Sequence, residues 1–152
     1  MADTTGRTAS TLNELIQSCR DTEHGFQSAA LLVDDLNLRR LFQSYAQQRA
    51  EFVAELQLEM RRLAGDPVEG SHASAALHRA WVDIKAGVSG RDEGTIISEC
   101  ERSEDGAVKQ YQEALESGLP NDLQMVIARQ FHEVKQAHDH VRSLERVHSR
   151  HG

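Results

Sequence analysis

Four stretches of the chain carry apolar residues three and four positions apart, a period that commits most of its length to amphipathic helices. The first holds Leu12, Ile16, Cys19, Phe26, Ala30 and Val33, and the second holds Leu38, Leu41, Phe42, Tyr45, Phe52, Leu56, Met60 and Leu63. The third aligns Ile97, Cys100, Val108, Tyr111 and Leu115, and the fourth Leu123, Ile127, Phe131, Val134, Val141 and Leu144. Only two prolines and 5% aromatics, with abundant Ala, Leu, Glu, Gln and Arg, fit helices better than strands. A chain of 152 residues is one domain's worth.

Local signals set the boundaries. Residues 1–9 are small and polar and are expected as a disordered tail, with the domain spanning 10–149. Thr11 and Glu14 have the spacing of a capping box, which opens the first helix. Asp34 and Asp35 mark a short break, and Gly65-Asp66-Pro67 ends the second helix. Val68 to Gly70 reads as a loop; Ser71 or Ser74 then caps a shorter helix with Leu77, Trp81, Ile84 and Val88 on one face. Ser89-Gly90-Arg91-Asp92 restarts the chain into the third helix, Gly118 closes it, and Pro120 takes the first position of the fourth.

The connections decide the topology. Short links make the first pair and the last pair antiparallel hairpins, whereas the long helical link between the second and third helices returns the chain along the bundle and leaves those two parallel. The expected fold class is all-α: an antiparallel four-helix bundle with a long helical crossover, the plan of ferritin-like bundles. A net charge of −7 with no cluster of Lys and Arg argues against a nucleic-acid partner. No segment reaches the roughly 20 apolar residues of a membrane span, and the polar start lacks an apolar targeting stretch, so a cytoplasmic location is expected.

Function must lie in the polar residues that fall on apolar stripes. At about 100° per residue, Glu104 sits amid Ile97, Cys100, Val108 and Tyr111, and Glu23 amid Ile16, Cys19, Phe26 and Ala30. On the second helix the inward polar residues are Gln48, Arg49 and Glu55, and on the fourth Gln130 and His138; Glu51 and Glu133 lie a quarter-turn off. Counting from the turns places Glu23, Gln48 and Glu104 in one layer, near Val134 of the fourth helix. Cys19-Arg-Asp-Thr-Glu23-His-Gly25 also matches Cys100-Glu-Arg-Ser-Glu104-Asp-Gly106 at Cys, Glu and Gly, an internal repeat with one copy per hairpin. Each of these glycines costs its helix about 1 kcal/mol relative to Ala, so a packing reason is expected.

A buried carboxylate must be neutral, paired or bound to a cation. One reading is therefore an ion-pair network, Arg49 with a glutamate and Gln48 or Gln130, that fixes helix register. Another is a metal centre, since bundles of this plan hold two ions through one Glu on each of two helices and Glu-x-x-His on the other two. A small-molecule site between the helices is a third.

The segments Cys19–Phe26, Ala46–Phe52 with Glu55-Leu56, Leu77-His78-Arg79-Ala80-Trp81, Glu99–Asp105, Tyr111 and the stretch to His138 resemble the ferritin-like superfamily, and more narrowly the bacterial DUF2383 family, over residues 11–146. The narrower family has no assigned activity. The wider resemblance implies a self-associating, stress-associated module, or a carboxylate metal protein of oxidoreductase or metal-handling type holding Fe, Mn or Zn. Glu23 and Glu104 match the single glutamates of di-iron relatives. The Glu-x-x-His pairs do not transfer, because no such pair ends in His on either remaining helix. The metal candidates are thus Glu23 and Glu104, with Glu101 or His138 completing a single-ion site.

The two cysteines fall on opposite sides of the Glu layer, about 12 Å apart along the axis at 1.5 Å per residue, too far for a disulfide. They read as small buried hydrophobes. His24, His132, His140, His148 and His151 fall on solvent faces or the tail, while Trp81 packs on the bundle or against another subunit. No Gly-rich phosphate loop, nucleophile elbow or Cys-x-x-Cys is present.

Overall fold

The computed structural model describes the backbone of residues 2–64, 79, 81–82 and 93–151, and side chains over 6–63, 79, 81–82 and 93–147. Four long helices hold most of these: α1 (Ala2–Leu32), α2 (Leu36–Ala64), α3 (Glu93–Leu115) and α4 (Asn121–His151). The readings at Gly65–Leu77, His78, Ile84, Val88 and Ser89–Asp92 lie outside the described residues.

Side-chain links give the directions. Near one end, the Asp35 amide after α1 donates to Glu93 Oε2 at the start of α3 (3.3 Å). Toward the other end, Arg7, Thr11 and Glu14 line a groove with Ser117 and Leu119 beyond α3. Helices α1 and α3 are therefore antiparallel; the short α1–α2 turn makes α2 antiparallel to α1 and hence parallel to α3. Helix α4 runs antiparallel to α2, since Tyr45 meets His140 and Glu55 meets Gln130. This is the expected one-crossover topology.

Local chemistry explains the turns. Asp35 Oδ1 accepts the Leu38 amide (3.0 Å) and its carbonyl accepts the Arg39 amide (3.0 Å), so Asp35 caps α2. Gly118, just past α3, has φ 78°, a left-handed conformation that suits glycine and ends a helix. The Pro120 carbonyl accepts the Gln124 amide at 2.8 Å, which makes Pro120 the cap of α4, one position before the helical position expected for it.

At the amino end, α1 is helical from Ala2, so residues expected as a disordered tail extend the helix, and Thr11 lies inside it. Packing overrides the local capping signal: Thr8 is buried and Ala9 rests against the core.

The core is in two parts. One apolar cluster gathers Leu12, Leu15, Ile16, Phe52, Leu56, Tyr111, Ile127 and Val134; the other gathers Phe26, Val33, Phe42, Trp81, Ile96, Ile97 and Val141. Cys19 belongs to the first and Cys100 to the second, and both are free and buried. Buried Arg49 and Glu104 belong to neither apolar cluster. Trp81 of the crossover is 4% exposed and lies over Gly25, where an added Cβ would meet its Nε1 at 3.3 Å. That contact is the packing reason for one glycine of the repeat. Gly106, its counterpart, has nothing within 4 Å of the same position.

Candidate functional site: a buried ion pair and a histidine–carboxylate seam

The middle of the bundle is occupied by a salt bridge. Arg49 Nη1 donates to Glu104 Oε2 at 2.6 Å and Nη2 to Oε1 at 2.7 Å, with both side chains fully buried. Such a two-pronged contact uses the planar match between guanidinium and carboxylate. Arg49 Nε donates to Gln48 Oε1 (3.1 Å), and the guanidinium carbon stands 5.5 Å over the Phe26 ring. Burial alone would lower the Arg49 pKa; the Glu104 charge and hydrogen bonds outweigh it and raise it. Arg49 is thus a permanent cation, and both oxygens of Glu104 answer it.

A chain of hydrogen bonds that runs out to the surface adjoins the pair. Tyr111 Oη donates to Gln130 Oε1 (2.8 Å) and lies 3.1 Å from Cys19 Sγ. Gln130 Nε2 donates to Glu55 Oε1 (2.9 Å), and Glu55 pairs with Arg129 at the surface. Burial pushes the Cys19 thiol up to about 11, and likewise raises Cys100 and Tyr111 well above their ordinary values. A thiol kept protonated is a poor nucleophile.

Glu23 takes a different course from the one its helical angle predicts. It is half-buried, lies 3.4 Å from the Gln27 side-chain amide, and lines a groove between α1 and α2 with Ala46, Gln47 and Ala50. The angle places its Cα on the stripe, but its flexible side chain carries the carboxylate to the α1–α2 groove, while the carboxylate that answers Arg49 is that of Glu104. Glu23 and Glu104 therefore do not form the inward-facing carboxylate pair expected from the repeat.

His138 and Glu101 are brought together, by a partner the sequence reading passed over. Glu101 and Asp105 stand one turn apart on α3 and face His138 of α4; one donor atom from each lies within 4.8 Å of the other two. His138 is 6% exposed. Its Nε2 is 2.5 Å from Asp105 Oδ1 and its Nδ1 is 3.1 Å from Asp139 Oδ1. Burial disfavours the imidazolium, but the hydrogen bonds to Asp139 and Asp105 prevail and raise the His138 pKa. Burial, then Asp105 and Glu145, raises that of Glu101. Among the described residues this is the one three-donor group, and neither Glu23 nor Glu104 is in it.

Comparison with solved structures gives the same architecture. A Mycobacterium smegmatis Dps1 mutant superposes with a TM-score of 0.76 at 10% identity, covering 95% of this chain and 99% of that one. A bacterioferritin-related protein from Bacteroides fragilis, described as a dodecameric thioferritin, superposes with a TM-score of 0.77 at 14% identity, covering 96% of this chain and 88% of that one. At these identities the likeness concerns the fold. No curated protein is significantly similar in sequence. The model of a domain of unknown function, DUF2383, matches residues 7–117, most of the chain. With the two-hairpin bundle and its crossover, that match makes the chain a member of the DUF2383 family with a ferritin-like fold.

Proposed function

We propose that this protein is a non-catalytic, self-associating helical module whose interior is held by an ion pair rather than by metal ions. The observation that carries the reading is the fully buried, two-pronged contact of Arg49 with Glu104. A cation seated on Glu104 would have to displace a guanidinium that has no water to retreat into, leaving a bare buried charge. The inward glutamate that matches those of di-iron proteins is thus committed to a structural partner.

Self-association is supported by two apolar side chains left in solvent beside the same α1–α2 turn, Leu31 and Leu36, exposed by 77% and 54%. The dodecameric neighbour shares this fold. Light scattering on the purified protein is expected to give a mass that is a multiple of the 17.0 kDa chain. Mixing with ferrous iron and oxygen is expected to give oxidation no faster than in buffer. A strictly monomeric protein refutes self-association, and iron oxidation that is abolished by Glu104→Gln refutes the non-catalytic reading.

A further inference from the structure

We propose that Glu101, Asp105 and His138 form a binding site for one first-row divalent cation at the seam between α3 and α4. The site is separate from the interior ion pair, so it goes beyond the reading above and stands or falls without it. Three features carry it.

The donor set comes first. One imidazole nitrogen and two carboxylates from two helices are the mixed N and O ligands that suit Zn²⁺, Fe²⁺ or Mn²⁺, with water completing the shell. An ion about 2.0–2.2 Å from each donor accepts donors as far as about 4.4 Å apart; these three atoms lie within 4.8 Å of one another, and the 2.5 Å contact of His138 with Asp105 opens to admit the ion. Asp105 is 57% exposed, so its side chain has room to rotate by the fraction of an ångström required.

The imidazole is already aimed. His138 is nine-tenths buried, which limits its ring to few orientations, and Asp139, outside the donor set, contacts Nδ1 at 3.1 Å. In the metal-free chain a proton lies between Nε2 and Asp105 Oδ1; an incoming cation displaces that proton, leaving Nδ1–H donated to Asp139 and the Nε2 lone pair free to coordinate. A carboxylate behind the far nitrogen is the usual way of fixing a metal-binding histidine.

The third feature is the charge left behind. Two acidic side chains one turn apart on a helix repel each other, and Glu145 adds to the field at Glu101. A divalent cation between the carboxylates turns that repulsion into attraction.

Calorimetric titration of chelator-stripped protein with Zn²⁺ is the test. The wild-type chain is expected to take up one ion per chain at this site, and Glu101→Gln and Asp105→Asn each to weaken uptake at least about ten-fold. Asp105 is exposed and Glu101 half-buried, and both replacements keep the size of the side chain, so circular dichroism should show the fold intact. Asp139→Asn is expected to weaken binding about ten-fold by freeing the ring, while His132→Gln, on an exposed histidine, leaves it unchanged. Absence of saturable uptake, or a Zn²⁺ affinity that either Glu101→Gln or Asp105→Asn leaves within about two-fold of wild type, overturns the proposal.

Discussion

Removing one partner of the Arg49–Glu104 pair should cost far more than removing both. Glu104→Ala takes away two charge-assisted hydrogen bonds, each contributing about 1.5–3 kcal/mol, and strands a guanidinium with no exposed surface. Gln48 and the Phe26 ring remain beside it, but neither carries a neutralising charge. The expected loss is about 3–5 kcal/mol, as for other broken buried pairs. Arg49→Met strands the carboxylate and should cost a similar amount. Combining Arg49→Met with Glu104→Leu fills the same space with apolar groups and should return to within about 2 kcal/mol of wild type; with Glu104→Leu as the matching single change, costing about as much as Glu104→Ala, the coupling energy is at least about 4 kcal/mol. Urea unfolding followed by helical circular dichroism reads this directly. With a slope of about 2 kcal/mol per molar, each single change should lower the midpoint by roughly 1.5–2.5 M. Single changes costing under about 1 kcal/mol that simply add in the double variant would refute the reasoning, because a pair open to water behaves that way.

The two glycines of the repeat should answer differently to alanine: Gly106→Ala should raise stability by up to about 1 kcal/mol, since its Cβ meets nothing within 4 Å, whereas Gly25→Ala should gain less or lose, because its Cβ presses on Trp81 at 3.3 Å; thermal melts rank them. Cys19 should resist thiol reagents in the native protein, and with its pKa held near 11 against an ordinary 9.0 its stabilising contribution is complete below pH 9 and is lost as pH rises toward 11. Cys19→Ser, which retains a partner for Tyr111, should flatten the alkaline end of a stability profile; an unchanged profile counts against the buried thiol. In metal-free protein His138 faces Asp105 and Glu101 on α3 and Asp139 on α4, with Arg142 and Glu145 nearby. Its raised pKa means its contribution is complete below pH 6.5 and declines as pH rises through the elevated value; proton NMR titration of the ring should show the midpoint above 6.5, and a midpoint below it refutes the arrangement.

What the sequence revealed, and what it hid, follows from what periodicity measures. Spacing of three and four fixes where a Cα lies around a helix, so the four helices and the inward placement of Arg49, Glu104, Gln130 and His138 were all legible. Connection lengths then carried the topology. Glu23 was misplaced because the same angle says nothing of where a long side chain swings. Asp105 escaped notice because it falls on an exposed face of α3; its i, i+4 spacing from Glu101 was visible, but its meeting with His138 depends on how α3 docks on α4, which no local pattern reports. The first turns of α1 were hidden for a related reason: Thr8 and Ala9 are polar or small and become helical through contact with the core.

The central claim is that the bundle's interior glutamate serves Arg49 and no metal. Its most direct test is anaerobic titration of Fe²⁺ into a variant carrying Glu101→Gln and Asp105→Asn, compared with the same variant carrying Glu104→Gln as well. The expected result is two superimposable curves with no saturable uptake that depends on Glu104. A tight site present in the first protein and missing from the second would contradict the account.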